Sequence, residues 1–210
     1  EEYWDHASAN TLDNSFSVAK SIVGILTGIA ADEGYFKLDD SVGKYLPEFS
    51  EGENAKLKIR HLLQMSSGLN WDESYSSLFS KTTEAYYGTN LTKQVLKLKV
   101  IKEPGSTFQY MSCNTVLLAL IISKTTGKTI SDFASTKLWI PIHATLPAYW
   151  SLDHNEGIEK SYCCFYSSAR DFARIGKLVL DSGKWDGKQI VSKEFIQEML
   201  TPNMVPDLFG

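Results

Sequence analysis

The sequence predicts an α+β fold in which helices dominate and strands are few. Three observations carry that prediction. Residues 17–33 and 114–126 are apolar around most of a helical circumference, and a glycine closes each stretch, Gly34 and Gly127. Shorter helical spacings recur at residues 59–65, 81–99, 130–139, 168–183 and 193–200. One hairpin is evident: residues 149–152 and 160–165, joined by Asp153-His154-Asn155-Glu156-Gly157.

Composition bounds the function. A chain of 210 residues can bury a sizeable core without staples. A hydrophobic fraction of 43% against 22% charged excludes a disordered chain. Acids outnumber bases, 25 to 21, and no basic cluster exists, so no nucleic-acid partner is expected. The longest strictly apolar run, residues 116–122, is far short of the roughly 20 residues that span a bilayer, so no transmembrane segment is expected. The opening residues lack the cationic, apolar, small-residue order of an uncleaved signal peptide. Cys163 and Cys164 are adjacent and Cys113 stands alone; all three are read as buried small hydrophobes. The four histidines form no H-x-x-x-H pair, and neither metal nor cofactor is expected.

Each element follows from local pattern. Residues 1–14 read as the end of a strand and a loop. In the first long helix Val18, Ile22, Ile25 and Ile29 form one apolar stripe, widened by Val23, Leu26 and Ala30. The other face carries Ser17, Lys20, Ser21, Gly24, Gly28 and Ala31, small enough for a neighbour to approach closely, and crowding is expected at Gly24. Pro104-Gly105 marks a turn. Ser168-Ala169-Arg170-Asp171 has a capping-box pattern. Residues 202–210 read as a loop leading onward. The abrupt ends and scarce strands suggest one domain over residues 1–210, truncated at both ends and mainly its helical part.

The chemistry begins at Ser17-Val18-Ala19-Lys20. A spacing of three puts both side chains on one helix face, one turn apart. A serine hydroxyl is a poor nucleophile until a base removes its proton. A neutral amine can do that, but a lysine with a pKa near 10.4 is neutral about once in two thousand at pH 7, so burial or a nearby positive group must lower it by roughly three. Ser17 also opens the helix, where free N–H groups favour negative charge, so its own N–H could serve half of an oxyanion hole. The competing reading is a helix-start serine with a lysine snorkelling outward. A second copy, Ser41-Val42-Gly43-Lys44, sits in a short polar stretch closed by Pro47 and reads as a capped surface turn.

The next candidate is Tyr110-Met111-Ser112-Cys113-Asn114, between the Pro104-Gly105 turn and the second apolar helix. A tyrosine near an ammonium can pass a proton, and Ser112 or Asn114 could orient the lysine or a substrate amide. The competing reading makes Tyr110 a packed loop aromatic and Ser112 or Asn114 a helix cap.

Several strings occur together and in order: Phe16-Ser17-Val18-Ala19-Lys20-Ser21, Leu38-Asp39-Asp40, Tyr45-Leu46-Pro47, Ile59-Arg60-His61-Leu62-Leu63-Gln64-Met65-Ser66-Ser67-Gly68-Leu69, and Pro104-Gly105-Ser106-Thr107-Phe108-Gln109-Tyr110. With them the chain resembles the serine β-lactamase-related family of class C β-lactamases, DD-peptidases, family VIII esterases and 6-aminohexanoate-oligomer hydrolases. Tyr110-Met111-Ser112-Cys113 and Ala169-Arg170-Asp171-Phe172-Ala173-Arg174-Ile175-Gly176 are most similar to the last branch. The resemblance implies the helical domain of a β-lactamase/transpeptidase-like fold, with much of the antiparallel sheet outside this chain. It implies a serine hydrolase of small-molecule amides or esters, with Ser17 as acyl-accepting nucleophile, Lys20 as base and Tyr110 as proton relay. By family position, the loop holding Trp71 and Tyr75 and the hairpin residues Tyr149 and Trp150 are expected to border the substrate cleft. A periplasmic or cell-envelope location follows from the same resemblance.

Two departures stand out. The second position after Tyr110 is Ser112, where class C enzymes have asparagine, as expected of the amidase or esterase branch. The family's K/H-[TS]-G strand is not found; Lys124-Thr125-Thr126-Gly127 has one residue too many and ends a helix. That leaves a non-catalytic, penicillin-binding-like ligand-binding or regulatory module as the alternative. Gly127-Lys128-Thr129 fails as a phosphate loop because Ile122 stands where a glycine is required. The acyl substrate, the leaving group and the oligomeric state are not legible.

Overall fold

The first long helix lies at the centre of the molecule. In the computed structural model, which describes residues 2–202, it is α1 (Val18–Asp32). Its residues Ala19, Ile22, Val23, Ile25, Leu26 and Ala30 are wholly buried. It ends in paired bonds from Gly34 N–H to the Ala31 carbonyl and from Tyr35 N–H to the Ala30 carbonyl, both 3.0 Å. Gly34 supplies the left-handed φ of +80° that this termination requires.

Short 3₁₀ turns follow, then α2 (Ile59–Leu63), α3 (Lys81–Tyr87) and α4 (Leu91–Leu96). The second apolar helix, α5 (Ser112–Thr126), starts two residues earlier than its periodicity predicts. It packs against α1, α2 and α4, so it is buried on nearly every side. Next comes α6 (Ile130–Ala134), which continues into one π turn (Ser135–Trp139). The remaining helices are α7 (Ala169–Leu180), capped by Ser168 Oγ accepting from Asp171 N–H at 3.2 Å, and α8 (Lys193–Leu200), capped by Ser192.

The strands are short. A three-stranded antiparallel sheet has the order β1 (Asp13–Asn14), β3 (Phe165–Ser167), β2 (Tyr149–Trp150). Its register pairs Asn14 with Tyr166 and Trp150 with Phe165. The expected hairpin is therefore present but its second strand starts at Phe165, not at residue 160. Residues 161–164 turn away instead: Cys164 has φ +58°, and Cys163 and Cys164 are joined by a disulfide between neighbours. This corrects the reading of all three cysteines as free, although all three are buried and Cys113 remains a thiol. A second hairpin, β4 (Lys184–Trp185) with β5 (Lys188–Gln189), turns on Asp186-Gly187, both at positive φ. Asp-Gly is a strong two-residue hairpin signal, and it lies between the two expected helices in a stretch to which the sequence reading assigned no element.

Helix α8 lies across the small-residue face of α1. A Cβ on Gly28 would stand 2.4 Å from the Phe195 ring, whereas one on Gly24 would meet nothing within 4 Å. The close approach expected at Gly24 thus occurs one turn later, and Gly24 lines a cavity. Arg60 ties α8 to the neighbouring loop through Glu198 and through Asp39 at 3.2 Å. Among the described residues no helix is long and apolar enough to cross a membrane. The expected loop at residues 203–210 lies outside the described residues.

Candidate active site

Ser17 stands at the junction of sheet and helix. Ser15 N–H donates to the Phe165 carbonyl at 2.7 Å, fixing the chain to β3. Phe16 then adopts φ +44°, unusual for a residue with a side chain, and its N–H donates to Asn14 Oδ1 at 2.9 Å. This sharp turn lifts Ser17 into solvent at the start of α1. Its side chain does not cap the helix. The N–H groups of Val18, Ala19 and Lys20 donate to the carbonyls of Ser15, Phe16 and Ser17, while the N–H of Ser17 has no partner among the described residues.

Lys20 comes one turn later and is half-buried. Its Nζ is 3.2 Å from Ser17 Oγ and donates to the Tyr162 carbonyl at 2.9 Å. It also lies 4.8 Å from the centroid of the Tyr110 ring and 5.7 Å from that of Tyr162. Among the described residues no carboxylate pairs with it. Tyr110 is half-buried and held by a docked loop: Gln109 N–H donates to the Met65 carbonyl at 2.7 Å, and Gly105 N–H to the Ser66 carbonyl at 2.8 Å.

Two cavities open on the Ser17–Lys20 pair. The larger, about 670 Å³, takes in Tyr110 and the apolar side chains of Leu62, Leu118 and Phe195. The smaller, about 260 Å³, is walled by Tyr75, Tyr86, Tyr87, Ser112 and Tyr162. Of the expected site residues, Ser17, Lys20 and Tyr110 therefore meet at one cavity, and Tyr75 and Ser112 join the first two at the other. Trp71 and Asn114 are buried behind these walls. Asn114 Nδ2 donates to Met65 Sδ at 3.3 Å. Trp150 faces neither cavity. It lines a separate pocket of about 190 Å³ with Trp139 and Phe165, and its Nε1 donates to the Cys163 carbonyl at 3.1 Å.

Sequence reasoning missed Glu73. Its carboxylate accepts from Trp71 Nε1 at 2.5 Å, Tyr75 OH at 2.6 Å, Ser112 N–H at 2.7 Å and Ser112 Oγ at 2.6 Å. One acid thus joins the residue 71–75 loop to the first turn of α5, where negative charge is also favoured by the helix dipole. The available signal was a pair of acids, Asp72 and Glu73, between two aromatics, Trp71 and Tyr75, in an otherwise hydroxyl-rich loop. Tyr162 was missed as well, since nothing local marks a residue 142 positions from Lys20 as its acceptor.

A family model described as Beta-lactamase matches residues 2–207. The 6-aminohexanoate-dimer hydrolase of Paenarthrobacter ureafaciens is 28% identical over 194 residues, covering 88% of this chain and 49% of that protein. Among solved structures, a Bacillus anthracis protein provisionally named 6-aminohexanoate-dimer hydrolase superposes with a TM-score of 0.84 at 24% identity, covering 94% of this chain and 55% of that one. A family VIII carboxylesterase superposes with a TM-score of 0.72 at 19% identity, covering 90% and 60%. The chain spans about half the length of the first of these relatives. The solved structures share its fold.

Proposed function

The chain belongs to the beta-lactamase family, and from that premise we propose that it carries the nucleophile, base and proton relay of a serine hydrolase acting on amides or esters. Ser17 is the nucleophile, Lys20 its base and Tyr110 the relay to the leaving group. One observation carries this reading: Lys20 Nζ lies 3.2 Å from Ser17 Oγ, half-buried and with no acid partner among the described residues.

With the amine deprotonated, the same contact runs from the Ser17 O–H to Nζ. Proton transfer frees Oγ to attack the substrate carbonyl. The oxyanion forms beside the unpaired N–H of Ser17, at the start of a helix of 15 residues. Collapse of the tetrahedral intermediate breaks the C–N or C–O bond, and the departing amine or alcohol takes a proton passed from Lys20 through Tyr110. Water then hydrolyses the acyl-serine, giving an acid and restoring the hydroxyl. The Tyr162 carbonyl fixes the lysine over the serine, a positioning role that a main-chain acceptor fulfils without changing the charge.

The test is covalent capture. The natural protein is treated with a fluorophosphonate, digested, and its peptides weighed. An adduct on Ser17 is expected. A folded protein that takes no adduct there contradicts the reading and favours a ligand-binding module on the same scaffold.

A further inference from the structure

Resting on the acyl-serine reading above, we propose that the disulfide between Cys163 and Cys164 is a positioning element for the base: it fixes the turn that presents the Tyr162 carbonyl to the amine of Lys20.

The starting point is a run of consecutive main-chain carbonyls, each holding a different part of the site. That of Tyr162 accepts from Lys20 Nζ at 2.9 Å, and that of Cys163 from Trp150 Nε1 at 3.1 Å. That of Cys164 accepts from Ser151 N–H at 3.0 Å, and that of Phe165 from Ser15 N–H at 2.7 Å, just before the nucleophile. A regular strand aims its carbonyls only at its two neighbours. This run also reaches a side chain on α1, and it does so through the turn at Cys164, where φ is +58°. Left-handed backbone is disfavoured for a residue with a side chain. The disulfide closes a small ring over the Cys163–Cys164 peptide and so leaves the turn few alternatives.

Polar anchors are otherwise scarce where Tyr162 sits. The hydroxyls of Ser161 and Tyr162 are buried without a hydrogen-bond partner. On one side, the ladder of β3 begins only at Phe165, opposite Trp150. On the other, Lys160 N–H donates to the Ser151 carbonyl at 2.8 Å. Between these two anchors the covalent link lies within the turn itself. Lys20 depends on that turn, because its amine ends a flexible four-carbon stem. Among the described residues its hydrogen bonds go to Ser17 Oγ and the Tyr162 carbonyl. A carbonyl that takes one N–H of the neutral amine leaves the nitrogen lone pair to face the serine. Misplacing a reacting group by about 1 Å costs on the order of 100-fold in rate.

The natural protein is compared in its disulfide and dithiol forms. Dithiothreitol breaks the Sγ–Sγ bond; it supplies the electron pair and the protons, closes into its own cyclic disulfide and leaves two thiols on the protein. Alkylation of the denatured protein and peptide mass spectrometry report which form is present. Cys163→Ala/Cys164→Ala provides a form that needs no reductant. Acylation of Ser17 by a fluorophosphonate is timed in each form below its melting temperature, and again in the Lys20→Ala background. Loss of the disulfide is expected to slow acylation by roughly 10- to 100-fold where Lys20 is present. In Lys20→Ala the same loss is expected to change the slower rate by less than about twofold, because the two changes act through one group. Equal acylation with and without the disulfide overturns the proposal. So does equal slowing in the Lys20→Ala background, the mark of a merely structural link, and so does finding Cys163 and Cys164 as free thiols in the active protein isolated under air. If the fluorophosphonate leaves no adduct on Ser17 even in the disulfide form, the parent reading fails and this one falls with it.

Discussion

Ser17 and Ser41 each stand three residues before a lysine, yet their side chains use their hydrogen bonds differently. Ser41 Oγ donates to the Ala55 carbonyl at 3.1 Å and accepts from Gly43 N–H at 3.2 Å. Lys44 is mostly exposed, paired with Asp40 at 3.0 Å, and that hydrogen bond raises its pKa. The turn itself is tightly packed: a Cβ on Gly43 would touch the backbone of Phe49 and Ser50 at 2.6 Å. Among the described residues Ser17 Oγ, by contrast, bonds only with Lys20 Nζ, and two cavities open beside it. The difference teaches that the spacing supplies proximity alone. Reactivity needs a serine whose lone pairs are unspent and a lysine that no neighbouring acid holds in its protonated form.

The widest separation of the two copies is expected from removing the hydroxyls. Ser17→Ala should abolish acylation by a fluorophosphonate, with residual turnover of a p-nitrophenyl ester down on the order of 10³-fold or more. Ser41→Ala should leave turnover within twofold and cost about 1 kcal/mol of stability through the lost cap; chemical denaturation measures this. The lysines come next. Lys20→Ala should slow acylation by roughly 10²- to 10⁴-fold, the range for a general base. Lys44→Ala should leave both acylation and the melting temperature essentially unchanged, as expected for an exposed ion pair. Stopped-flow ester hydrolysis distinguishes them.

Two smaller effects sharpen the structural side. Gly28→Val drives a side chain into the Phe195 ring and should destabilise by about 1–3 kcal/mol. Gly24→Ala enters open space and should stabilise the helix by about 0.5–1 kcal/mol; thermal melts give both signs. The smallest effect belongs to the Ser41 turn. The Lys37 N–H, then the Tyr45 hydroxyl, hold the Asp40 carboxyl down at about 2. A lowered folded pKa means that its contribution is complete above the ordinary carboxylate value near 3.8 and is lost as pH falls through about 2. Melting temperature between those limits should fall less steeply in Asp40→Asn than in the unsubstituted chain.

Much of this arrangement is legible in local pattern. Helices α1 and α5, the helix-start position of Ser17, the surface turn at Ser41 and the loop carrying Tyr110 all follow from periodicity, capping residues and glycine placement. What escaped reading depends on distant pairing. Tyr162 reaches Lys20 across 142 positions, and Glu73 reaches Ser112 across 39. The start of β3 was misplaced because the disulfide between neighbours and the positive φ of Cys164 take residues 161–164 out of an otherwise alternating run. The crowded glycine was misplaced by one turn because the position of α8 along α1 depends on the Arg60–Glu198 tie and on Phe195, none of which is local to α1.

The central claim is that the amine of Lys20 takes the proton of Ser17, and the pH dependence of Ser17 acylation tests it most directly. In the unsubstituted protein the acylation rate should climb with pH to a plateau as one group gives up its proton, and Lys20→Ala should lose that ionisation along with most of the rate. Superimposable pH profiles in the two proteins would contradict the account.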